Sequence, residues 1–234
     1  FTSDHGEEFL DHGYLKHGQG LYEELIRVPH IAWCPAHVPA GDYTRQALSA
    51  LGLWQQQSSL GGHTGSGYLQ FLGNTYTSGP ANSPLEYSFK INQAGLYYLH
   101  LHCAKEIHDG RTDVANDCYV RVEGDYNAGP GPYDSHGDNA SLSLLQGDTK
   151  YFGGATNNWK WENGQNSSGG NGNLDPGGES NKRVAVYDFK AGETYKLVVS
   201  GRSKFFRINR IVFRHTATSS STAQDLSTPE SVTT

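Results

Sequence analysis

Methionine is absent from all 234 residues, and cysteine occurs only as Cys34, Cys103 and Cys118. A chain without Met that opens on Phe1 is expected to be a processed form or a fragment, whose leader would have gone with its start. Charge is scarce as well: 18% of residues are Asp, Glu, Lys or Arg, and the net charge is −6. A phosphate backbone selects a basic surface, so nucleic acid is not an expected partner. No apolar run approaches the ~20 residues that span a bilayer, so a membrane is not expected either. No two cysteines have the Cys-x-x-Cys spacing of a metal site.

What is present points to β structure. Hydrophobic residues make up 35% and aromatics 12%, with 29 Gly, the balance of a loop-rich extracellular all-β protein. Solubility then rests on Asn, Ser, Thr, Gly and Gln, neutral groups that suit sugar hydroxyls. The length allows one large domain or two small ones with a real core.

From about residue 61 to 215, short alternating runs are separated by Gly, Asn and Asp turns. They are Tyr68-Leu-Gln-Phe-Leu72, Leu85-Glu-Tyr-Ser-Phe-Lys-Ile91, Tyr97-Tyr-Leu-His-Leu-His-Cys103 and Cys118-Tyr-Val-Arg-Val-Glu123. Then come Val184-Ala-Val-Tyr-Asp-Phe189, Tyr195-Lys-Leu-Val-Val-Ser200 and 205–213. Period-two patterning in runs this short predicts a mainly β fold, an antiparallel β-sandwich of jelly-roll type. Two long connections, 124–148 and 153–181, are expected to be functional or disordered. Residues 216–234, dominated by Ser and Thr, read as a linker or tail. Cys103 and Cys118 fall on inward positions of what read as neighbouring strands. A cross-strand disulfide and two buried thiols both remain open.

A late basic set comprises Arg202, Lys204, Arg207, Arg210 and Arg214. Arg207 and Arg214 are an odd number of positions apart, so a flat strand puts them on opposite faces. They are therefore not expected to form one sulfate-binding stripe. Asp109, Asp113, Asn116 and Asp117 form an oxygen-rich cluster that suits calcium.

The opening Phe1-Thr-Ser-Asp-His-Gly-Glu7, with Tyr22-Glu-Glu24 and Ile26-Arg-Val-Pro29 after it, resembles the late metal-binding segment of the sulfatases. The likeness covers 1–53 and implies a short α/β remnant. It implies that Asp4 and His5 are ligands of a divalent cation, usually calcium, and that His17 or Lys16 contacts sulfate. Carboxylate oxygen suits a hard cation, and a cationic side chain offsets charge on a transferring sulfuryl group. The family's nucleophile lies in a Cys-x-Pro/Ala-x-Arg motif. Cys34 is followed by Pro35, Ala36, His37 and Val38, which departs from that motif. The chain alone is expected to be inactive on sulfate esters.

Residues 54–215 resemble the β-sandwich carbohydrate-binding modules around families 6 and 35 and the malectin-like domains. The resemblance rests on Gly62-His-Thr-Gly-Ser-Gly-Tyr68, Phe89-Lys-Ile-Asn-Gln-Ala-Gly95, Asn158-Trp-Lys-Trp161 and Arg207-Ile-Asn-Arg-Ile211. It implies a loop-borne sugar site in which Trp159 stacks on a pyranose while Trp161 enters the core. Asn209 and Arg207 are its polar candidates, and Tyr126 and Tyr133 its further loop aromatics. The structural calcium of related modules is expected near Trp54-Gln-Gln-Gln57 and Asn209, both of which depart from the family pattern. The expected function is non-catalytic binding of a polysaccharide, such as a sulfated marine or gut galactan, by a secreted, periplasmic or cell-surface protein. Two rivals stay open: a fragment of a multidomain sulfatase that is inactive alone, and a secreted structural protein that self-associates.

Overall fold

Alternating runs of this length can bury only one face each, and the chain resolves this by stacking two sheets. A computed structural model describes residues 30–34, 52–130, 139–153, 155–163, 174–175 and 183–228. The first strands are β1 (His30–Cys34), β2 (Trp54–Gln57), β3 (Tyr68–Phe71) and β4 (Asn82–Lys90). Next are β5 (Gly95–Lys105), β6 (Asp117–Glu123), β7 (Asn127–Ala128) and a short helix, α1 (Leu142–Gln146). Then follow β8 (Thr149–Phe152), β9 (Ala155–Thr156), β10 (Lys160–Asn163) and β11 (Leu174–Asp175). The last elements are β12 (Val186–Phe189), β13 (Thr194–Gly201), β14 (Arg207–His215) and one helical turn, α2 (Ser220–Ala223).

Among the described residues one sheet has five strands, ordered β11-β8-β6-β13-β4, and the other has nine. The spine of the larger sheet is β2-β3-β14-β5-β12-β7. Its two long central strands each hold more than one partner on an outer edge. β14 pairs with β3 at Arg207 and Ile208 and with β1, in parallel, from His30↔Arg210 to Cys34↔Arg214. β5 pairs with β12 near its start and with β10 between His100 and Cys103. The chain is thus a mainly β protein with predominantly antiparallel sheets, a β-sandwich as its patterning predicts.

β1 comes from the stretch that resembles a sulfatase, and it serves here as an edge strand of the sandwich. Asp4, His5, Lys16 and His17 lie outside the described residues, as does Tyr133.

The core between the sheets is aromatic. Phe189 packs against Phe89, Tyr97, Tyr126, Tyr187, Tyr195 and Phe213, with ring centroids 4.4 to 5.6 Å apart. Tyr126, expected as a loop aromatic, belongs to this core: it is buried and its hydroxyl donates to Val122 O at 2.9 Å. Gly124, at φ +134° against the Tyr195 ring, turns the chain directly after β6, and Tyr126 packs on the same ring. Gly201 shows how tight the packing is, since a Cβ there would overlap the Phe71 ring.

Cys103 and Cys118 are buried thiols rather than a disulfide. β5 and β6 are consecutive in the chain but lie in opposing sheets, not side by side. Burial, with Asp117 alongside, pushes the Cys118 thiol well up from its ordinary value.

A register shift between Ile208 and Arg210 inserts Asn209 as an extra residue in β14. The bulge resets the alternation. Ile208, Ile211 and Phe213 enter the core, whereas Arg207, Arg210, Val212 and Arg214 oppose Ala104, His102, His100 and Tyr98. Arg207 and Arg214 therefore share a face, contrary to flat-strand counting, because one bulged residue turns an odd separation into an even one.

Residues 216–228, expected as the start of a linker, lie on that outer face. Arg214 donates to Thr218 O at 2.7 Å and Arg210 to Leu226 O at 3.3 Å, while Ala223 packs on Val212. Ser219 caps α2 by accepting from Thr222 N at 3.1 Å. Backbone carbonyls meeting buried guanidinium groups anchor a stretch too polar to anchor itself by apolar burial.

Candidate functional site

The outer face of the nine-stranded sheet is a buried polar layer with aromatic residues over it. His100, His102, Asn209, Arg207, Arg210 and Arg214 are all under one-tenth exposed. Each comes from the outward register of β5 or β14 and has at least one hydrogen-bond partner within the protein. Unpaired polar groups at this depth would cost ~1–3 kcal/mol apiece.

Asn209 holds the loop that precedes β3. Its Oδ1 accepts from Thr64 N at 3.1 Å and from His102 Nδ1 at 3.1 Å, and its Nδ2 donates to Thr64 O and Gly67 O. An amide oxygen only accepts, so the His102 proton sits on Nδ1. Burial, joined by the charge of Arg210 and opposed by the Asn209 hydrogen bond, lowers the His102 pKa to about 4. The ring is a neutral, apolar surface at neutral pH.

Trp159 lies on that ring. Their centroids are 5.2 Å apart with planes 24° off parallel, and Tyr68 meets the indole edge-on at 5.1 Å. The indole N–H donates to Gly61 O at 2.9 Å, and a Cβ on Gly62 would press on the pyrrole edge. Trp159 is half-buried and held flat. Trp161 contacts the same imidazole at 4.9 Å and packs on Val212 and Ala223. Its expected place in the intersheet core is thus corrected: residues two apart in an extended chain point the same way, so both indoles cover the outer face.

Arg207 supports this group from beneath. Its Nε donates to Gln70 Oε1 at 3.2 Å, it pairs with Glu106, and its guanidinium lies over the Tyr68 ring. Asn209 and Arg207 are thus framing residues, their donors and acceptors turned to the protein. His102 was legible as a signal, being the outward histidine of an alternating strand, but nothing local marks it as the seat for Trp159.

A second feature sits where β5 ends and β6 begins. A cleft of about 220 Å³ is lined by Thr77, Arg111, Asp113, Asn116, Asp117, Lys150 and Arg202. Part of the oxygen cluster expected for calcium is here, but cations from distant segments have joined it. Arg111 binds Asp113 through Nε at 3.0 Å and a terminal nitrogen at 2.7 Å, and Arg202 pairs with the buried Asp117. Asp109 lies instead beside His108, at 3.1 Å. Among the described residues no group of three or more His, Cys, Asp or Glu is arranged to hold a metal. No helix among them is long and apolar enough to cross a membrane.

No protein-family model and no curated protein matches the chain. Among solved structures it is similar to a Podospora anserina GH26-CBM35 β-(1,4)-mannanase, at 11% identity and a TM-score of 0.43. That likeness covers 78% of this chain but 29% of the mannanase. It is too distant to carry function. The residues must carry it.

Proposed function

We propose that this chain is a non-catalytic polysaccharide-binding module whose contact surface is the outer face around Trp159. One observation carries the reading: a half-exposed indole is held flat by its own N–H bond and by a neutral imidazole beneath it. A pre-oriented aromatic face supports stacking on the apolar face of a pyranose with little ordering cost on binding. Trp161 extends the apolar surface, and the neutral Asn, Ser, Thr and Gly surface around it can read hydroxyls. The sulfatase likeness of 1–53 supplies the context, a neighbour that desulfates glycans, and so favours a sulfated galactan as the polymer.

Affinity electrophoresis against agar, porphyran, carrageenan, pectin and xylan gels tests this. Retardation is expected on at least one gel, lost in Trp159→Ala and largely kept in Trp159→Phe, with unchanged circular dichroism in both. No retardation on any gel, or equal retardation of Trp159→Ala, would overturn the stacking surface. The purified chain is also expected not to turn over an aryl sulfate. Turnover would shift the reading to the enzyme class.

A further inference from the structure

The cleft at the sandwich end owes its character to charge that the sequence scatters. Asp117, 2% exposed, lies at its base and accepts from Ser203 Oγ and Arg202, with Lys150 Nζ 3.7 Å away. Arg202 is held a second time by donating to Thr77 O at 3.0 Å. A buried carboxylate is thereby spent on positioning two cations. At the rim Arg111 and Asp113 neutralise each other. Counting Arg111, Lys150 and Arg202 against Asp113 and Asp117 leaves one positive charge in excess, three minus two. Such a lining disfavours a divalent cation and favours a small anion, which the planar guanidinium groups can engage in paired hydrogen bonds.

An aromatic group adjoins it. Tyr76, next to Thr77, stacks on His108, and Lys204 sits over the rings of Tyr76 and Phe205. Phe205 has φ +72°, a left-handed conformation that costs an aromatic residue ~1–3 kcal/mol. It is held there by hydrogen bonds from Phe205 N to Phe71 O and from Lys204 N to Thr75 O.

We propose that this cleft is a second saccharide site, separate from Trp159, that takes the acidic group of a glycan unit. The ligand is a sugar bearing a carboxylate or a sulfate ester, its anion over Lys150 and Arg202. At about 220 Å³ the space is below the ~300–1,000 Å³ of sites for drug-sized ligands, so it suits one sugar unit rather than a chain.

Titration calorimetry of the full chain tests it with tetragalacturonate, a sulfated galacto-oligosaccharide, a neutral galacto-oligosaccharide and calcium chloride alone. At least one acidic probe is expected to bind, and which one separates carboxylate from sulfate. Lys150→Gln and Arg111→Gln, both at partly exposed positions, are each expected to weaken it ~10-fold. Raising salt from ~0.1 to ~1 M should weaken it further. Trp159→Ala is expected to abolish neutral binding and to leave one acidic site, that of the cleft, within about twofold in affinity. Loss of acidic binding in Trp159→Ala, its retention in both charge variants, or no acidic binding at all would overturn the cleft. So would calcium binding that Asp113→Asn removes. Acidic binding that survives Trp159→Ala when no neutral probe binds would sink the stacking surface and leave the cleft standing.

Discussion

The two faces of β14 are built on different physics. Its inner side gives Ile208, Ile211 and Phe213 to a core held by apolar burial. Its outer side gives Arg207, Arg210 and Arg214, equally hidden but held by directed bonds to Gln70, Leu226 O, His100 and Thr218 O. Apolar packing tolerates many partners of the right volume, whereas a buried polar layer needs each partner in place. The inner face therefore specifies that the sandwich forms. The outer face specifies where the loop at Thr64, the indoles and residues 216–228 sit.

The contrast can be broken from the inside first. Phe213→Ala removes a ring that contacts Phe89, Tyr187 and Phe189. It is expected to cost ~3–5 kcal/mol, read from the denaturant midpoint.

Acid should act on the outer face selectively. Burial and the charge of Arg214 lower the His100 pKa to about 3, and His102 stands at about 4. Both values lie below the ~6.5 of an unfolded histidine, so the unfolded chain takes up the protons first. The stability these neutral rings contribute is whole above pH ~6.5 and is lost as pH falls toward the folded-state values, at ~1.4 kcal/mol per unit per ring. Melting curves across that window should show the loss, and His102→Gln should make it shallower. An unchanged pH slope in His102→Gln would remove the neutral-imidazole account.

Asn209→Ala strips partners from Thr64, Gly67 and His102 and is expected to cost ~1–3 kcal/mol. Amide exchange at Thr64 should quicken while that at Leu197, in the five-stranded sheet, does not. A comparable cost, ~1–3 kcal/mol, is expected from Arg214→Met, which leaves His100 Nε2 and Thr218 O without their donor although an unbranched apolar chain refills the place. Arg214→Ala should cost more, since it also vacates the space over Tyr98. Equal costs for the two would mean that charge, not packing, holds that end of the face.

Alternation alone made β4, β5, β6, β12, β13 and β14 legible, because one buried face per strand leaves a local period-two mark. It failed at the short strands β7, β9 and β11, where two residues carry no period. It failed more instructively for the site. Trp159 is legible as a loop tryptophan and His102 as an outward histidine, but nothing local joins them, and counting along the chain puts Trp161 on the wrong side of the sheet. Of the two readings open for Cys103 and Cys118, the sheets hold the buried thiols, because chain neighbours need not be sheet neighbours.

The amino-acid order by itself determined a sandwich with a polar, lightly charged surface, since composition and alternation act within a few residues. Absence told less than it promised: the missing charge set the surface but hid the buried arginines. Tertiary structure decided the bulge that brings Arg207 and Arg214 to one face, and the bond from Thr64 to Asn209, 145 residues away. It also gathered Thr77, Arg111, Lys150 and Arg202 into one cleft. Such contacts leave no local mark, because their strength comes from burial and geometry that exist only once the sheets have closed.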